Sequence, residues 1–200
     1  MRKVIQHMMV SLDGFIEGPN GEADWMGYPF DDGMHRYFEE LLNSVDILLF
    51  GRVAYEEMIA YWPSATTDPQ FQRMNDLPKV IFSKTLSKVE WNNARLVKDN
   101  INEEVLEMKQ QPGKNLLLTG ASVGSTFRRL GLIDEYWLIV RPIVLGSGKP
   151  LFNDIKDRLS LRLLNAKTLG MGNVLLCYEP QKKAKKTVTQ EIGKKISSRM

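Results

Sequence analysis

A run of apolar residues ends in small ones at Gly120, Ala121 and Ser122, and a helical pattern follows. A strand that turns directly into a helix leaves the first backbone N–H groups of that helix without partners. Together with the positive end of the helix dipole, these groups favour the binding of a phosphate. A tight strand–helix turn needs the same small residues when it binds nothing. This segment alone therefore leaves both interpretations open.

Two other predicted strands end in residues that suit a phosphate. Gly51 would let a ligand approach the backbone closely, and Arg52 places a cation at the start of a helix. Ser83, Lys84 and Thr85 place two hydroxyl groups around an ammonium group, which suits a phosphate monoester. Each set is also compatible with an ordinary turn. In open α/β sheets, ligands bind beyond the carboxyl ends of the strands, where all three segments are expected to lie.

A Rossmann dinucleotide site fits this arrangement badly. The Gly-x-Gly-x-x-Gly pattern is absent, and the glycine turn at Gly120 comes late in the chain. Asp134 and Glu135 begin a predicted strand, whereas the acid that binds a ribose ends one. A nucleotide bound by the three strand ends must therefore be held by another kind of fold.

The predicted strands and helices alternate along the chain, which is typical of a mainly parallel sheet with helices on both faces. Apolar residues at helical spacing predict helices around positions 34–42 and 55–62, and strands are predicted at 3–10, 45–50, 80–82 and 95–97. A closing hairpin, with strands 159–167 and 173–179 joined at 170–172, makes the sheet mixed.

Three details of these elements are also predicted. Asn100 and Glu103 form a capping-box pattern that predicts the start of another helix. A long apolar strand is expected at 135–145, interrupted at Pro142, which cannot donate a ladder hydrogen bond. In the helix after Gly120, the side chains of Val123, Phe127 and Leu130 are expected to share one face.

The composition is that of a globular protein of one α/β domain, with 200 residues, 43% hydrophobic and 26% charged. The sequence contains neither an apolar run of about 20 residues, as a membrane span needs, nor a signal-peptide pattern. We therefore expect a cytoplasmic protein without a membrane partner. Cys177 is the single cysteine and predicts a buried thiol. His7 and His35 lack the spacing of metal ligands, so no metal site is predicted, and His7 is expected to be a satisfied core or edge residue.

The net charge of +3 belongs to the end of the chain. Residues 181–200 hold seven basic residues and one acidic residue, which leaves 20 basic and 23 acidic residues in positions 1–180. This distribution predicts a domain at 1–180 with a basic tail at 181–200, and argues against a specific nucleic-acid-binding domain. Weak attraction of the tail to polyanions is a further hypothesis.

At this point the chain resembles a known superfamily. Gly51-Arg52, Ser83-Lys84-Thr85 and Gly120-Ala121 follow one another in the order seen in dihydrofolate reductases. Residues 11–14, and the stretch from 131–135 through Pro142 to 145–148, are more similar to the reductase domain of riboflavin biosynthesis, which shares that fold. The resemblance spans about residues 1–180. It is strongest to small stand-alone bacterial proteins of this kind.

The resemblance implies a three-layer dihydrofolate reductase-like fold and NADPH as the hydride donor. By position, Gly51 and Arg52 would contact the pyrophosphate or the adenosine phosphate, and Ser83, Lys84 and Thr85 would bind the 2′-phosphate. Val10 and Ile16 would border the nicotinamide. The pyrophosphate would be bound by the residues of the third strand end: Gly120, Ala121, Ser122, Val123, Gly124 and Ser125.

Reduction of a C=N or C=O group needs a proton as well as a hydride. Asp31, at the start of the first helix, occupies the place of the carboxylate in dihydrofolate reductases, and Asp13 is a second candidate. Both are also ordinary residues for a helix start and a turn. Trp25 and Phe30 lie in a loop that could stack on a flat substrate or merely fasten the loop to the core.

We therefore predict an NADPH-dependent reductase that acts on a small planar heterocycle. The resemblance extends to 5-amino-6-(5-phosphoribosylamino)uracil reductase of riboflavin biosynthesis, but the sequence offers no clear second basic cluster for a ribose phosphate. The alternative is a nucleotide-binding sensor that keeps the cofactor site without turnover. A homodimer is also expected, because the segment 136–140 carries more large apolar side chains than one face of a strand needs.

Overall fold

The computed structural model of the protein describes residues 1–26, 31–64, 69–153 and 155–181. Its strands are β1 Val4–Ser11, β2 Phe15–Glu17, β3 Val45–Gly51, β4 Lys79–Phe82, β5 Ala94–Val97, β6 Asn115–Thr119, β7 Glu135–Arg141, β8 Lys149–Pro150, β9 Leu161–Thr168 and β10 Val174–Pro180. The α-helices are α1 Asp32–Ser44, α2 Arg52–Tyr61, α3 Pro69–Asp76, α4 Ile101–Gln110 and α5 Ala121–Arg129. Short 3-10 helices span Asp24–Met26, Trp62–Ser64 and Gly170–Gly172.

Eight strands form one mixed sheet in the order β5-β4-β3-β6-β1-β7-β10-β9. The strands from β5 to β7 are parallel to their neighbours, whereas β10 is antiparallel to both β7 and β9. β2 and β8 form a separate antiparallel pair. The predicted mainly parallel sheet with a closing hairpin is confirmed.

Helices cover both faces of this sheet, so the predicted three layers are confirmed. Successive side chains of a strand point to opposite faces, and in β3 Leu49 joins one core while Leu48 and Phe50 join the other. The first core includes apolar residues of α4 and α5. The second includes those of α1 and α2. Because both faces are buried, the parallel strands consist mainly of apolar residues.

Three local predictions need correction. The strand expected at 135–145 ends at Arg141, directly before Pro142, because proline lacks the N–H group that the ladder needs. Asn100 precedes α4 in the left-handed conformation, with φ of 56°, and its side chain makes no capping hydrogen bond. Leu130 is 45% exposed because α5 ends at Arg129, whereas Val123 and Phe127 are buried as predicted.

β7 provides little exposed apolar surface for a dimer contact. It lies between β1 and β10, and Tyr136, Leu138 and Ile139 are buried within the chain. The chain's own two cores therefore account for most of the apolar side chains that suggested an interface. The homodimer stays a prediction.

Cys177 is a free and buried thiol, as predicted, and burial raises its pKa to about 11. Among the described residues, no group of acidic, histidine and cysteine side chains could hold a metal ion. The helices of this part of the chain also lack the length and apolar character that crossing a membrane requires. The basic tail lies outside the described residues from position 182 onwards.

The turn between β6 and α5 requires a glycine at position 120. Gly120 has φ of +111°, and a Cβ atom there would lie 3.0 Å from Cβ of Ala54. We expect Gly120→Ala to lower the free energy of unfolding by about 2–3 kcal/mol, because the cost of the strained backbone and the cost of the close packing add together. Urea denaturation measures this loss.

Gly131→Ala provides the control for this substitution. Gly131 has φ of +67°, and a Cβ atom there would meet nothing within 4 Å. We expect a loss of about 1 kcal/mol, the cost of the left-handed conformation alone. Equal losses for the two variants would contradict the packing argument.

Candidate functional site

A cavity of about 720 Å³ lies at the carboxyl ends of β3, β4 and β6 and is also lined by β1. This size is typical of sites for small molecules and cofactors. All three strand ends that the sequence singled out contribute to it. The predicted cofactor residues that line the cavity are Ile16, Gly51, Arg52, Ser83, Gly120, Ala121, Ser122 and Val123.

The N-termini of α2 and α5 meet at one wall of this cavity. Their N-cap residues are Gly51 and Gly120, and neither helix start has a side-chain cap or an acidic residue in its first turn. A Cβ atom on Gly51 would lie 2.9 Å from Cβ of Val123, so glycine permits the close approach of the two helices. Uncapped first-turn N–H groups and two helix dipoles therefore converge on the same space. This arrangement suits a diphosphate.

Ser83 and its neighbours form a polar turn beside this wall. Ser83 Oγ accepts hydrogen bonds from the backbone N–H groups of Thr85 and Leu86 at 3.2 and 3.1 Å. Ser83 lines the cavity, whereas Lys84 and Thr85 are not among the lining residues. The Lys84 side chain is 79% exposed, with Nζ 3.9 Å from Asp99 Oδ1. Its ammonium group therefore extends into solvent.

Besides Lys84 and Thr85, three further predicted cofactor residues do not line the cavity. Val10 is 5% exposed and packs in the core below the sheet edge. Gly124 faces the side chain of the buried Gln6, so it serves the packing of α5 on β1. Ser125 Oγ accepts a hydrogen bond from Arg129 one turn later on the helix, at 2.7 Å.

The two aspartates predicted as proton donors also lie outside the cavity lining. Asp31 is the N-cap of α1, where its side chain accepts a hydrogen bond from the N–H of Met34 at 2.9 Å, and it borders a separate depression. Asp13 accepts hydrogen bonds from Ser11 Oγ at 2.6 Å and from the N–H of Gly146 at 2.8 Å. These bonds, chiefly the one from Ser11, lower the pKa of Asp13, which disfavours proton donation. In the structure both carboxylates fix local backbone.

The two aromatic residues predicted for the substrate have different outcomes. Trp25 lies in the 3-10 helix Asp24–Met26 and does not line the cavity, although its neighbour Met26 does. Its Nε1 atom is buried without a hydrogen-bond partner. Phe30 lies outside the described residues.

The remaining part of the cavity is apolar, and the sequence pattern does not predict it as a binding surface. We call it the apolar half. It is formed by side chains of β1, α1, α2 and α3 and of the short helices that flank them: Met9, Met26, Phe38, Leu41, Leu42, Met58, Trp62 and Met74. The helical spacing of Phe38, Leu41 and Leu42 predicts a core-facing helix, and these side chains do belong to the second core as well as to the cavity wall. That spacing alone does not distinguish a core from a cavity wall.

His7 lies in the lining of the cavity, and one part of its prediction needs correction. It is 6% exposed, and its ring lies 5.8 Å from Tyr37 and 5.7 Å from Phe38, centroid to centroid. Its Nε2 atom is buried without a hydrogen-bond partner, so His7 is not the satisfied residue that was expected. Burial lowers the pKa of His7 to about 4, so the imidazole is neutral at physiological pH. A polar residue between Ile5 and Met9, on one face of an apolar strand, was the available signal.

Two glutamates provide the carboxylates of the cavity lining in the described residues. Glu17 accepts a hydrogen bond from Lys149 Nζ at 2.8 Å, and this pair connects β2 to β8. Glu57 lies on α2, and partial burial, together with the charge of Glu17, raises its pKa. Of the carboxylates considered, Glu57 has the environment that best suits a proton donor.

The family comparison matches nearly the whole described chain. The model of the RibD C-terminal domain family matches residues 2–175. The uncharacterized protein YyaP of Bacillus subtilis (strain 168) is 40% identical over 183 residues, which cover 88% of this chain and 94% of that protein. The residues that build the cavity therefore lie within the matched region.

Solved structures share the fold. A putative riboflavin biosynthesis protein from Shewanella sp. PV-4 superposes with a TM-score of 0.72 at 24% identity, over 90% of this chain and 99% of that chain. A dihydrofolate reductase from Enterococcus faecalis, complexed with NADP(H), superposes with a TM-score of 0.55 at 14% identity, over 90% of this chain and 97% of that chain. The α/β fold implied by the resemblance is confirmed.

The buried neutral His7 predicts a dependence of stability on pH. The folded imidazole titrates near pH 4 and an unfolded one near 6.5, so the unfolded state binds more protons between these values. Stability is complete above about pH 6.5 and falls as the pH decreases towards 4, by up to about 3 kcal/mol. Urea denaturation of the wild type and of His7→Gln across this range measures the difference. An identical pH slope in the two proteins would contradict the assignment.

Proposed function

Because the chain belongs to the RibD C-terminal domain family, we propose that it is an NADPH-dependent reductase that transfers a hydride to a small planar heterocycle. The observation that carries this proposal is the convergence of two helix N-termini, at Gly51 and Gly120, on one cavity with a separate apolar half. The uncapped helix starts suit the phosphates of an anionic cofactor, and the apolar half suits a flat ring. In this proposal the cofactor supplies the hydride.

The residues at the polar wall fit NADPH. Both glycines let the starts of α2 and α5 approach each other more closely than a Cβ atom would allow, and the first-turn N–H groups of α5 would donate to the pyrophosphate. The N–H of Gly120 already donates to Sδ of Met8 at 3.4 Å, so the donors for a phosphate are the N–H groups of Ala121, Ser122 and Val123. Ile16 would border the nicotinamide beside β1.

The 2′-phosphate is proposed to bind Ser83, Lys84 and Thr85. The exposed ammonium group of Lys84 can turn towards a phosphate at little cost, because its pairing with Asp99 is long and solvated. Arg52 forms an ion pair with Glu56 at 2.7 Å, which holds its guanidinium group at the start of α2. This wall would therefore distinguish NADPH from NADH by charge-assisted hydrogen bonds.

The proton that completes the reduction is proposed to come from Glu57, directly or through a water molecule. Glu57 lines the cavity, whereas Asp31 and Asp13 do not. A raised pKa keeps a larger share of this carboxyl group protonated near neutral pH, which favours general acid catalysis. Lys149, held by Glu17, lies near enough to reduce this shift and would help return the group to its charged form.

The cofactor site is tested by comparing NADPH with NADH. We expect Lys84→Ala to weaken NADPH binding about tenfold, the value of one charge-assisted hydrogen bond, and to leave NADH binding nearly unchanged. Isothermal titration calorimetry measures both affinities. Lys88→Ala is the matched control, because Lys88 lies four residues after Lys84 in the same loop, is similarly exposed and is likewise paired with a carboxylate, that of Glu90. An equal effect of Lys84→Ala on the affinities for NADPH and NADH would contradict the proposed 2′-phosphate site.

The proposed proton donor is tested by Glu57→Gln. We expect this variant to lower kcat by about 100-fold or more while NADPH affinity changes little, with turnover followed as loss of absorbance at 340 nm on a panel of pteridines and pyrimidines. Asp31→Asn is the control, because asparagine also caps a helix, and it should keep kcat. The opposite ranking of the two variants would assign the donor to Asp31. NADPH binding without turnover on any compound would favour the sensor alternative.

A further inference from the structure

The apolar half of the cavity contains no unpaired positive charge among the described residues. The permanently charged lining residues with a positive charge are Arg52 and Lys149. Each is paired with a carboxylate, Arg52 with Glu56 and Lys149 with Glu17. Arg73, although next to Met74, is not a lining residue. A phosphate or carboxylate placed against the methionines would lose its hydration without gaining a partner, and this costs several kcal/mol.

His7 is the buried polar group of this half that has an unused hydrogen-bonding atom. Its Nε2 is buried without a partner, and the residue is 6% exposed and lines the cavity. An unsatisfied buried polar atom destabilises the protein, so a ligand that pairs with it removes this cost and binds more tightly. The rings of Tyr37 and Phe38 hold the imidazole from one side.

Charge and geometry together limit what His7 can bind. A neutral imidazole can carry its proton on Nε2 and donate to a ring nitrogen or a carbonyl oxygen. It cannot neutralise an anion. The methionine side chains beside it adapt to a flat apolar face and make favourable contacts with aromatic rings.

We propose that the apolar half binds an uncharged planar heterocycle without a phosphate group, and that an acceptor atom of this ring receives a hydrogen bond from His7 Nε2. The inference rests on the proposed function for its reaction, but it concerns the substrate class. It separates this chain from a reductase of phosphoribosyl compounds, because the ligand carries no charged group into the apolar half. His7 is then a residue that determines specificity.

The test uses a matched pair of probes, 6-methylquinoxaline and quinoxaline-6-carboxylate. They share one planar ring system with acceptor nitrogens and differ in a methyl or a carboxylate group at the same position. Affinities are measured by calorimetry on the full chain at about pH 8, well above the pKa of about 4 of His7. NADP⁺ is present in one series and absent in the other.

We expect the methyl probe to bind at least about tenfold more tightly than the carboxylate probe. His7→Leu should weaken binding of the methyl probe about fivefold, because it removes the hydrogen-bond donor. His7→Gln keeps a neutral donor and should retain most of the affinity. Circular dichroism and urea denaturation confirm that both variants fold. A loss in both variants alike would assign His7 to packing and would overturn its role.

Three outcomes overturn the substrate class: equal binding of the two probes, tighter binding of the carboxylate, or no saturable binding of the methyl probe at millimolar concentration. None of them affects NADPH affinity, so the proposed function is judged separately by the Lys84 experiment. Conversely, if the protein does not bind NADPH but prefers the methyl probe without cofactor, the inferred substrate class stands and the proposed reductase function is contradicted.

Discussion

The close contact between the starts of α2 and α5 is the constraint on which the rest of the site depends. Gly51 lies against Val123, and Gly120 lies against Ala54, at separations that leave no room for a side chain at either glycine. Two parallel strands, β3 and β6, are hydrogen-bonded neighbours and deliver both helix starts to one place. A parallel sheet aligns its carboxyl ends, so two positive helix ends converge with no acidic side chain in the first turn of either helix.

This arrangement divides the cavity by its chemistry. At the polar wall, backbone N–H groups act as fixed donors that need no desolvation of a long side chain, which suits an anion. Away from it, Phe38 and Leu41 of α1 and Met9 of β1 contribute to the lining, which becomes apolar. Arg52 and Lys149 are held by carboxylates of neighbouring residues. The charged groups therefore belong to the cofactor wall and the β2–β8 pair.

The sequence predicted those features that depend on residues close together in the chain. The glycines at 51 and 120 and the polar turn at Ser83 each follow an apolar strand directly, so local pattern and sheet topology place them together. Val10 and Asp31 show the limit of this reasoning. Strand register decides whether Val10 faces the core or the cavity. The role of Asp31, as a helix cap or as a proton donor, depends on the distant turn at Gly170, which packs against it. A single sequence does not specify these contacts.

His7 shows why a local pattern can predict the opposite of a residue's role. On β1 it alternates with Ile5 and Met9, as a core residue does, and its ring is packed like one. What distinguishes it is that its Nε2 atom has no hydrogen-bond partner. The residues packed against its ring include Tyr37 and Phe38 of α1, about 30 positions later in the chain, so the local sequence does not reveal this. Folding leaves this donor unsatisfied and lowers the pKa of the imidazole, so the fold bears a cost in stability at that point. Such a cost at a cavity wall is typical of a group reserved for a ligand, because a purely structural site would gain stability from leucine at the same position.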